Sequence, residues 1–321
     1  MRDAILMDQP GGAEVLEFRS TPTPEAGPDD LVVDVGACGV NFIDVYQRKG
    51  MYSTPLPAVL GMEGAGTVAA VGSQVSRFAV GDRVAWGFTR GSYATRAVIP
   101  ARDAVPVPDE VTDRTAAALM LQGMTAHFLV HSVTPLVKGE VALVHAGAGG
   151  VGLLLTQLLV DHGLRVISTV SSAAKAELSR AAGAEPLVGY DGFAERVRDL
   201  TDGRGVRVVF DGVGRQTFDN SLDALAVRGT MVLFGASSGP VEPLDPQVLN
   251  RKGSLTLTRP SLAHFVAEPA ELEWRSTEVF ELVRSGRLDI HIGAEFPLAE
   301  AADAHRALEG RRTTGKVLLI P

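Results

Sequence analysis

Cysteine is nearly absent. Cys38 stands alone among 321 residues, which excludes an internal disulfide and any metal site built from several thiolates. Aromatic residues are scarce, at 6 % of the chain, so there is no interleaved basic and aromatic stripe of the kind that stacks on nucleotide bases. Positive charge is not in excess either. Lys+Arg number 30 against 38 Asp+Glu, a formal net charge of -8, and an acidic chain is poorly suited to wrapping a polyanion. No apolar run is long enough to span a bilayer, since the most apolar stretch, residues 151–160, is short and broken by Thr156 and Gln157. The first ten residues carry Asp3 and Asp8 and no apolar core, unlike a secretory leader. The expectation is a cytoplasmic protein with neither nucleic acid nor membrane as partner. At 45 % hydrophobic and 21 % charged the chain is globular, and its length suits two domains.

Glycine is plentiful, with 35 residues, and its placement divides the chain. The first third reads as short strands near residues 31–35, 66–72, 80–86 and 92–99, separated by Gly and Pro turns, the pattern of a compact, partly closed β domain. From Thr112 the period becomes helical. Strand and helix then alternate: strands at 141–144, 165–170, 206–210 and 231–234, and helices at 151–162, 173–182, 193–200 and 218–226. Such alternation builds right-handed βαβ crossovers and a doubly wound parallel sheet. Past Pro260 the rhythm breaks into helices at 271–284 and 299–308 and a closing strand at 316–320.

After the strand ending at Val144 comes His145-Ala-Gly-Ala-Gly-Gly-Val-Gly152. Gly147, Gly149 and Gly152 match G-x-G-x-x-G in the context that gives the pattern meaning, a strand before it and a helix after it. The glycines let the backbone approach a pyrophosphate, and the amides of the helix start face its oxygens. NAD enzymes place Asp or Glu at the end of the second strand for the ribose 2′-hydroxyl. Here the strand ends at Val170 and runs into Ser171, Ser172 and Lys175. Hydroxyls and an ammonium attract a 2′-phosphate that a carboxylate would repel, so the expected cofactor is NADPH. His145 reads as a buried, satisfied histidine, and His127 and His131 show no metal-like pairing with the others.

With these motifs the chain resembles the zinc-independent, zeta-crystallin-like quinone oxidoreductases of the medium-chain dehydrogenase/reductase superfamily. The resemblance runs through Gly39-Val-Asn-Phe-Ile-Asp-Val-Tyr46, Gly61-Met-Glu-Gly-Ala-Gly66, Val80-Gly-Asp-Arg-Val84, Gly123-Met-Thr-Ala126, the glycine turn, Asp211-Gly-Val-Gly214, Phe234-Gly-Ala-Ser-Ser-Gly239, Leu257-Thr-Arg-Pro260 and Thr313-Thr-Gly-Lys316. It implies an α/β fold in which a Rossmann doubly wound parallel sheet is inserted into a GroES-like β-barrel domain. The barrel domain would take residues 1–123 and 266–321 and the Rossmann domain 124–265, with the cofactor in the cleft between them. It also implies a homodimer paired through the strand at 253–258. Zinc dehydrogenases of the superfamily carry a cysteine and a histidine where this chain has Asn41 and Met62, and Cys38 falls three residues too early, so no metal is expected.

Without a metal to polarise an alcohol, the expected chemistry is hydride transfer from nicotinamide to an acceptor already activated, a quinone or another conjugated carbonyl. Reduction of enones, alkenals or enoyl thioesters is the alternative within that chemistry, and a structural or sensory NADPH-binding role the alternative outside it. Asn41, Tyr46 and Tyr52 are the candidate catalytic residues, as donors to the oxygen that becomes negative. No Ser/Lys/Tyr spacing marks a proton donor; the sequence leaves its identity open, and water could serve. Asn41, Phe42, Ile43, Asp44 and Tyr46 are expected on the nicotinamide side, with Thr125 from its own motif. Gly147, Gly149, Gly150, Val151 and Gly152 would hold the pyrophosphate, and Ser171, Lys175 and Tyr190 the adenosine phosphate. Val213, Phe234, Gly235, Ala236 and Ser237 would border the groove. Thr258, Arg259 and Pro260 would lie by the nicotinamide amide, with Arg311 reaching in from the C-terminal segment.

Overall fold

The computed structural model describes residues 1–321. Strands β1 (Arg2–Met7), β2 (Glu17–Thr21) and β3 (Asp30–Val40) lead to helix α1 (Phe42–Arg48). Strands β4 (Ala58–Val59), β5 (Glu63–Val71), β6 (Arg83–Gly87), β7 (Arg96–Pro100) and β8 (Ala104–Pro106) precede the long helix α2 (Asp113–His131). The alternation follows: β9 (Val141–Val144), α3 (Gly150–Asp161), β10 (Arg165–Val170), α4 (Ala173–Ala181), β11 (Glu185–Val188), α5 (Phe193–Asp199), β12 (Val206–Asp211), α6 (Phe218–Ala224) and β13 (Leu225–Leu233). The remainder comprises α7 (Gln247–Arg251), β14 (Thr256–Thr258), α8 (Leu262–Phe265), α9 (Pro269–Arg284), β15 (Ile292–Pro297), α10 (Ala301–Glu309) and β16 (Lys316–Ile320). No helix is long and apolar enough to cross a membrane.

The chain forms two compact units, Met1–Met124 with Val266–Gly286 and Ile290–Pro321, and Thr125–Phe265 with Arg287–Asp289. The first is the GroES-like unit. Its larger sheet runs β15-β16-β3-β5-β6-β8, with β7 also on β3. Strand β3 serves two partners because it bends: its first half pairs β7 at Asp30–Asp34, and its second half pairs β16 at Cys38–Val40. The register against β5 shifts between Val35 and Ala37, and an irregularity of this kind lets a sheet curl toward closure. Gly66 faces the bend, where a Cβ would stand 2.1 Å from the Asp34 carbonyl oxygen. The curled sheet encloses Leu31, Val33, Val84, Trp86, Tyr93, Ile99 and Leu319, each at most 1 % exposed. Burying each large side chain stabilises the unit by roughly 1.5–3 kcal/mol.

The second unit is the Rossmann unit, a six-stranded sheet ordered β11-β10-β9-β12-β13-β14 in which every adjacent pair is parallel. Parallel strands packed on both faces must be apolar throughout, and Ala142–Val144 and Val208–Phe210 are completely buried. Helices stop where glycine supplies a positive φ, at Gly163 (φ 90) after α3 and Gly183 (φ 104) after α4. Strand β13 begins earlier than the sequence suggests. Leu225 and Ala226, read as a last helical turn, already lie in the strand, because Leu225 pairs with Val206 before the register shifts to Val208 opposite Thr230. Tertiary pairing overrides their helix propensity.

Candidate functional site

In the Rossmann unit, parallel pairing gathers the segments that follow the strands onto one sheet edge, where open α/β sheets bind ligands. The glycine turn follows β9, Ser171 and Ser172 follow β10, Tyr190 follows β11, Val213 follows β12, Phe234–Ser237 follow β13, and Arg259 and Pro260 follow β14. Backbone bonds tie neighbouring segments together. Gly147 donates to Thr169 (2.9 Å), Gly189 to Val170 (2.9 Å), Phe234 to Asp211 (2.9 Å) and Ser237 to Gly212 (3.1 Å).

The turn after β9 is built for close approach. A Cβ on Gly152 would lie 2.3 Å from the Ala146 carbonyl oxygen, and one on Gly147 would lie 2.6 Å from the Ser168 Cβ. Helix α3 starts at Gly150 with no side-chain cap, leaving first-turn amides for an anion. His145 is buried, its Nδ1 against Thr169 Oγ1 (2.7 Å) and its Nε2 against Ser221 Oγ (2.8 Å). Burial lowers its pKa, and it is the satisfied structural histidine that the sequence suggests. Ser172 caps α4 by accepting from the Lys175 amide, which places Lys175 in the first turn of that helix.

The GroES-like unit holds a buried polar cluster around Asn41, which is 4 % exposed at the start of α1. Asn41 Nδ2 donates to Glu63 Oε2 (2.8 Å) and the Gly39 carbonyl (3.3 Å). Its Oδ1 accepts from Lys316 Nζ (2.9 Å) and Gln122 Nε2 (3.1 Å). Lys316 also forms an ion pair with Glu63, both side chains at most 1 % exposed, and Glu63 Oε1 accepts the Leu121 amide (2.6 Å). Burial lowers the Lys316 pKa against the opposing pull of Glu63.

A second chain of bonds starts three residues along α1. Asp44 Oδ2 accepts the Asn41 backbone amide (2.8 Å) and the Tyr93 hydroxyl (2.9 Å). Tyr93 Oη in turn meets His305 Nε2 (3.2 Å), and His305 Nδ1 meets Arg48 Nη1 (3.2 Å). Arg48 pairs with Glu309 (2.8 Å), which also takes Lys49 (2.5 Å) at the surface. A guanidinium only donates, so His305 Nδ1 accepts, Nε2–H donates to Tyr93, and Tyr93 donates to Asp44. Burial pushes the Asp44 carboxyl up to about 7, and burial beside Arg48 pushes His305 down to about 3.

These placements differ from the expectation for two residues. Asn41, expected to donate to ribose or substrate, has both amide hydrogens and its oxygen bonded within the unit. Asp44, expected beside the nicotinamide, is fully buried. Phe42, Tyr46 and Tyr52 do lie together, with ring centroids 6.1 and 5.6 Å apart along the series, and Tyr52 is 42 % exposed. Ile43 is half-buried beside them and Arg311 is exposed. Thr125 is 8 % exposed on α2. Thr258 is half-buried at the end of β14. His127 and His131, expected to show no metal-like pairing, lie one turn apart with ring centroids at 4.5 Å and planes tilted by 43°, and His162 is edge-on to His131 at 5.9 Å; a spacing of four residues puts the first two on one helix face. No motif in the sequence assigns a role to Glu63, Tyr93, Gln122, His305 or Lys316. The available signal was a lone charge heading an apolar strand, Glu63 before β5 turns apolar and Lys316 before Val317-Leu-Leu-Ile320.

Comparison with known proteins follows this division. Residues 27–109 match the alcohol dehydrogenase GroES-like domain family, and residues 150–273 the zinc-binding dehydrogenase family. A quinone oxidoreductase of Pseudomonas aeruginosa is 45 % identical over 97 % of each chain. A mycobacterial protein solved in complex with NADPH superposes with a TM-score of 0.97 at 49 % identity over the whole of both chains. Escherichia coli quinone oxidoreductase, also solved with NADPH, superposes with a TM-score of 0.97 at 40 % identity over 99 % of this chain and 100 % of the other. A zinc ion suggested by the second family's description does not fit the residues present. Asn41 is a neutral amide already saturated, Met62 Sδ takes the Gln47 amide (3.3 Å), and the Lys316 ammonium stands where a second cation would be repelled.

Proposed function

We propose, from the premise that this chain belongs to the quinone oxidoreductase family of the medium-chain dehydrogenase/reductase superfamily, that it is an NADPH-dependent reductase of quinones or other activated conjugated carbonyls that works without zinc. The observation that carries this reading is the glycine cradle after β9, followed at the end of β10 by Ser171, Ser172 and Lys175 instead of a carboxylate. Gly147, Gly149 and Gly152 leave room for a pyrophosphate and the start of α3 neutralises it. Lys175 and the serine hydroxyls attract a 2′-phosphate. Bound NADPH supplies a hydride to an acceptor already electrophilic enough to take it.

The other site residues keep their proposed roles. Phe42, Ile43, Tyr46 and Tyr52 form an apolar aromatic surface suited to a flat acceptor, and Tyr46 and Tyr52 carry the hydroxyls. Asn41 acts from within, holding the start of α1 through its four bonds, and Asp44 fixes the same turn through the Asn41 amide. We also propose a cytoplasmic protein that pairs with a second copy through the open edge of β14, which ends the parallel sheet.

The test is calorimetric titration of the purified chain with NADPH and NADH, followed by NADPH oxidation with 1,4-benzoquinone, an enone and an enoyl thioester. The reading expects tighter NADPH than NADH and fastest turnover with the quinone. NADPH bound without oxidation by any acceptor would favour a sensor, and a chain that ignores NADPH would end the proposal.

A further inference from the structure

The chain has 7 histidines, and three of them gather at one end of the Rossmann unit. His127 and His131 stand one turn apart at the end of α2, with ring centroids 4.5 Å apart. His162, the residue that closes α3, sets its ring edge-on to His131 at 5.9 Å. The two helix ends are tied together by backbone, since the Gly139 amide beyond α2 donates to the Gly163 carbonyl beyond α3 at 2.9 Å. Three other histidines have their ring nitrogens engaged elsewhere: His145 by Thr169 and Ser221, His291 by Thr314, and His305 by Tyr93 and Arg48.

Four residues apart on a helix is the spacing at which two histidines hold one zinc ion. Two nitrogens on one ion, each about 2.1 Å from it, stand about 3–4 Å apart. A ring nitrogen of His127 and one of His131 lie within 4.8 Å of each other, so a small rotation of the exposed His131 ring closes the remainder. The electrostatic setting also suits a cation. His131 is in the last turn of α2 and His162 is the C-cap of α3, and helix C-termini carry negative partial charge. Asp161, beside His162, is taken by Arg287 at 2.6 Å, so the donors at hand are imidazoles, which suit zinc, nickel and copper and not magnesium or calcium.

We infer that His127, His131 and His162 form a binding site for a divalent transition-metal ion, zinc foremost, that fastens the last turn of α2 to the end of α3. Helix α3 has 12 residues, so about 18 Å of helix separates His162 from the glycine cradle at the other end. The ion therefore takes no part in hydride transfer, and the inference goes beyond the reductase reading without resting on it.

The full chain, stripped of metal with a chelator, is titrated calorimetrically with Zn2+ as the native protein and as His131→Ala, His162→Gln and His264→Ala. All three replaced side chains are exposed, which spares the fold, and His264→Ala is the control for stray surface binding. The expected result is one Zn2+ per native chain, an unchanged affinity in His264→Ala, and losses of about a hundredfold in His131→Ala and about tenfold in His162→Gln. With Zn2+ at about a hundred times its Kd, the native Tm should rise by several degrees and that of His131→Ala should not. A native chain that takes up no Zn2+ overturns the inference. So does binding that survives His131→Ala or falls equally in His264→Ala, which marks an adventitious ion only. Full affinity in His162→Gln removes the third ligand and with it the link to α3. NADPH titrated with and without Zn2+ should give one affinity, and a shift between the two would overturn the separation of the ion from the cofactor.

Discussion

The Tyr93 hydroxyl donates to Asp44 Oδ2 at 2.9 Å with both side chains wholly enclosed. The contact joins the β-rich barrel to helix α1, and through Tyr93 it links Asp44 to His305, two groups that burial moves in opposite directions. Asp44 is raised to about 7 from 3.8, while His305, on the other side of Tyr93, is lowered to about 3 from 6.5. Each displacement is a dependence of stability on pH, and the two have opposite sign.

For Asp44 the folded state holds a proton that the unfolded state has released. Its contribution to stability is fully present below 3.8 and is lost as pH rises through about 7. Tyr93, Lys316, Glu63 and Cys38 are the titratable groups that act on it or feel it. Replacing Asp44→Asn keeps an acceptor for Tyr93 and removes this titration. Relative to the native chain, unfolding free energies from urea titrations of the variant should then gain with rising pH between 3.8 and 7. An Asp44→Asn protein whose pH profile parallels the native one would refute the raised carboxyl.

For His305 the unfolded state holds a proton that the folded state refuses. Its contribution is fully present above 6.5 and is lost as pH falls toward about 3. His305→Gln retains a bonding side chain and removes the titration, so acid should cost the variant less than it costs the native chain. Because the two windows overlap from 3.8 to 6.5, the native protein carries two compensating slopes there. Fluorescence-monitored unfolding at half-unit pH steps measures each slope once the other group is removed.

The buried ion pair gives a third expectation. Lys316→Met leaves the Glu63 carboxylate enclosed beside Asn41 with its cation gone, and breaking a buried pair from one side costs about 3–5 kcal/mol. The double change Lys316→Met with Glu63→Gln removes the stranded charge and should recover more than half of that loss. Equilibrium denaturation of the two single variants and the double variant closes the cycle. A double variant no more stable than Lys316→Met would show that the pair's charges are not what the site balances.

The Rossmann unit was legible because its signals are local. Strands β9 (Val141–Val144) and β10 (Arg165–Val170) fall where the sequence puts them, since each is a short apolar run with turn residues on both sides. The glycine turn is legible because its spacing falls between a strand and a helix. The polar cluster was not legible, because Asn41, Glu63, Gln122 and Lys316 meet only after β3, β5, α2 and β16 have packed. Sequence separations of 253 and 275 residues to Lys316 leave no periodicity to read. For the same reason the bonds that turn the Asn41 side chain inward, to Glu63, Gln122 and Lys316, leave no trace in the local pattern around it.

Lys175 is where that local reading can be tested most directly. It lies in the first turn of α4, with its amide on Ser172 Oγ at 3.3 Å, and the helix dipole disfavours a cation at that end. A 2′-phosphate at the end of β10 would reverse the sign of that cost, because the ammonium then faces an anion instead of amide dipoles alone. Lys175→Ala should weaken NADPH by about tenfold, the scale of one charge-assisted contact to a phosphate, and leave NADH unchanged, since NADH carries no group for the ammonium to meet. Calorimetric dissociation constants for both nucleotides with both proteins decide the matter. Equal weakening of NADPH and NADH would place Lys175 in general support of the fold, and no weakening of either would leave Ser171 and Ser172 to account for the 2′-phosphate.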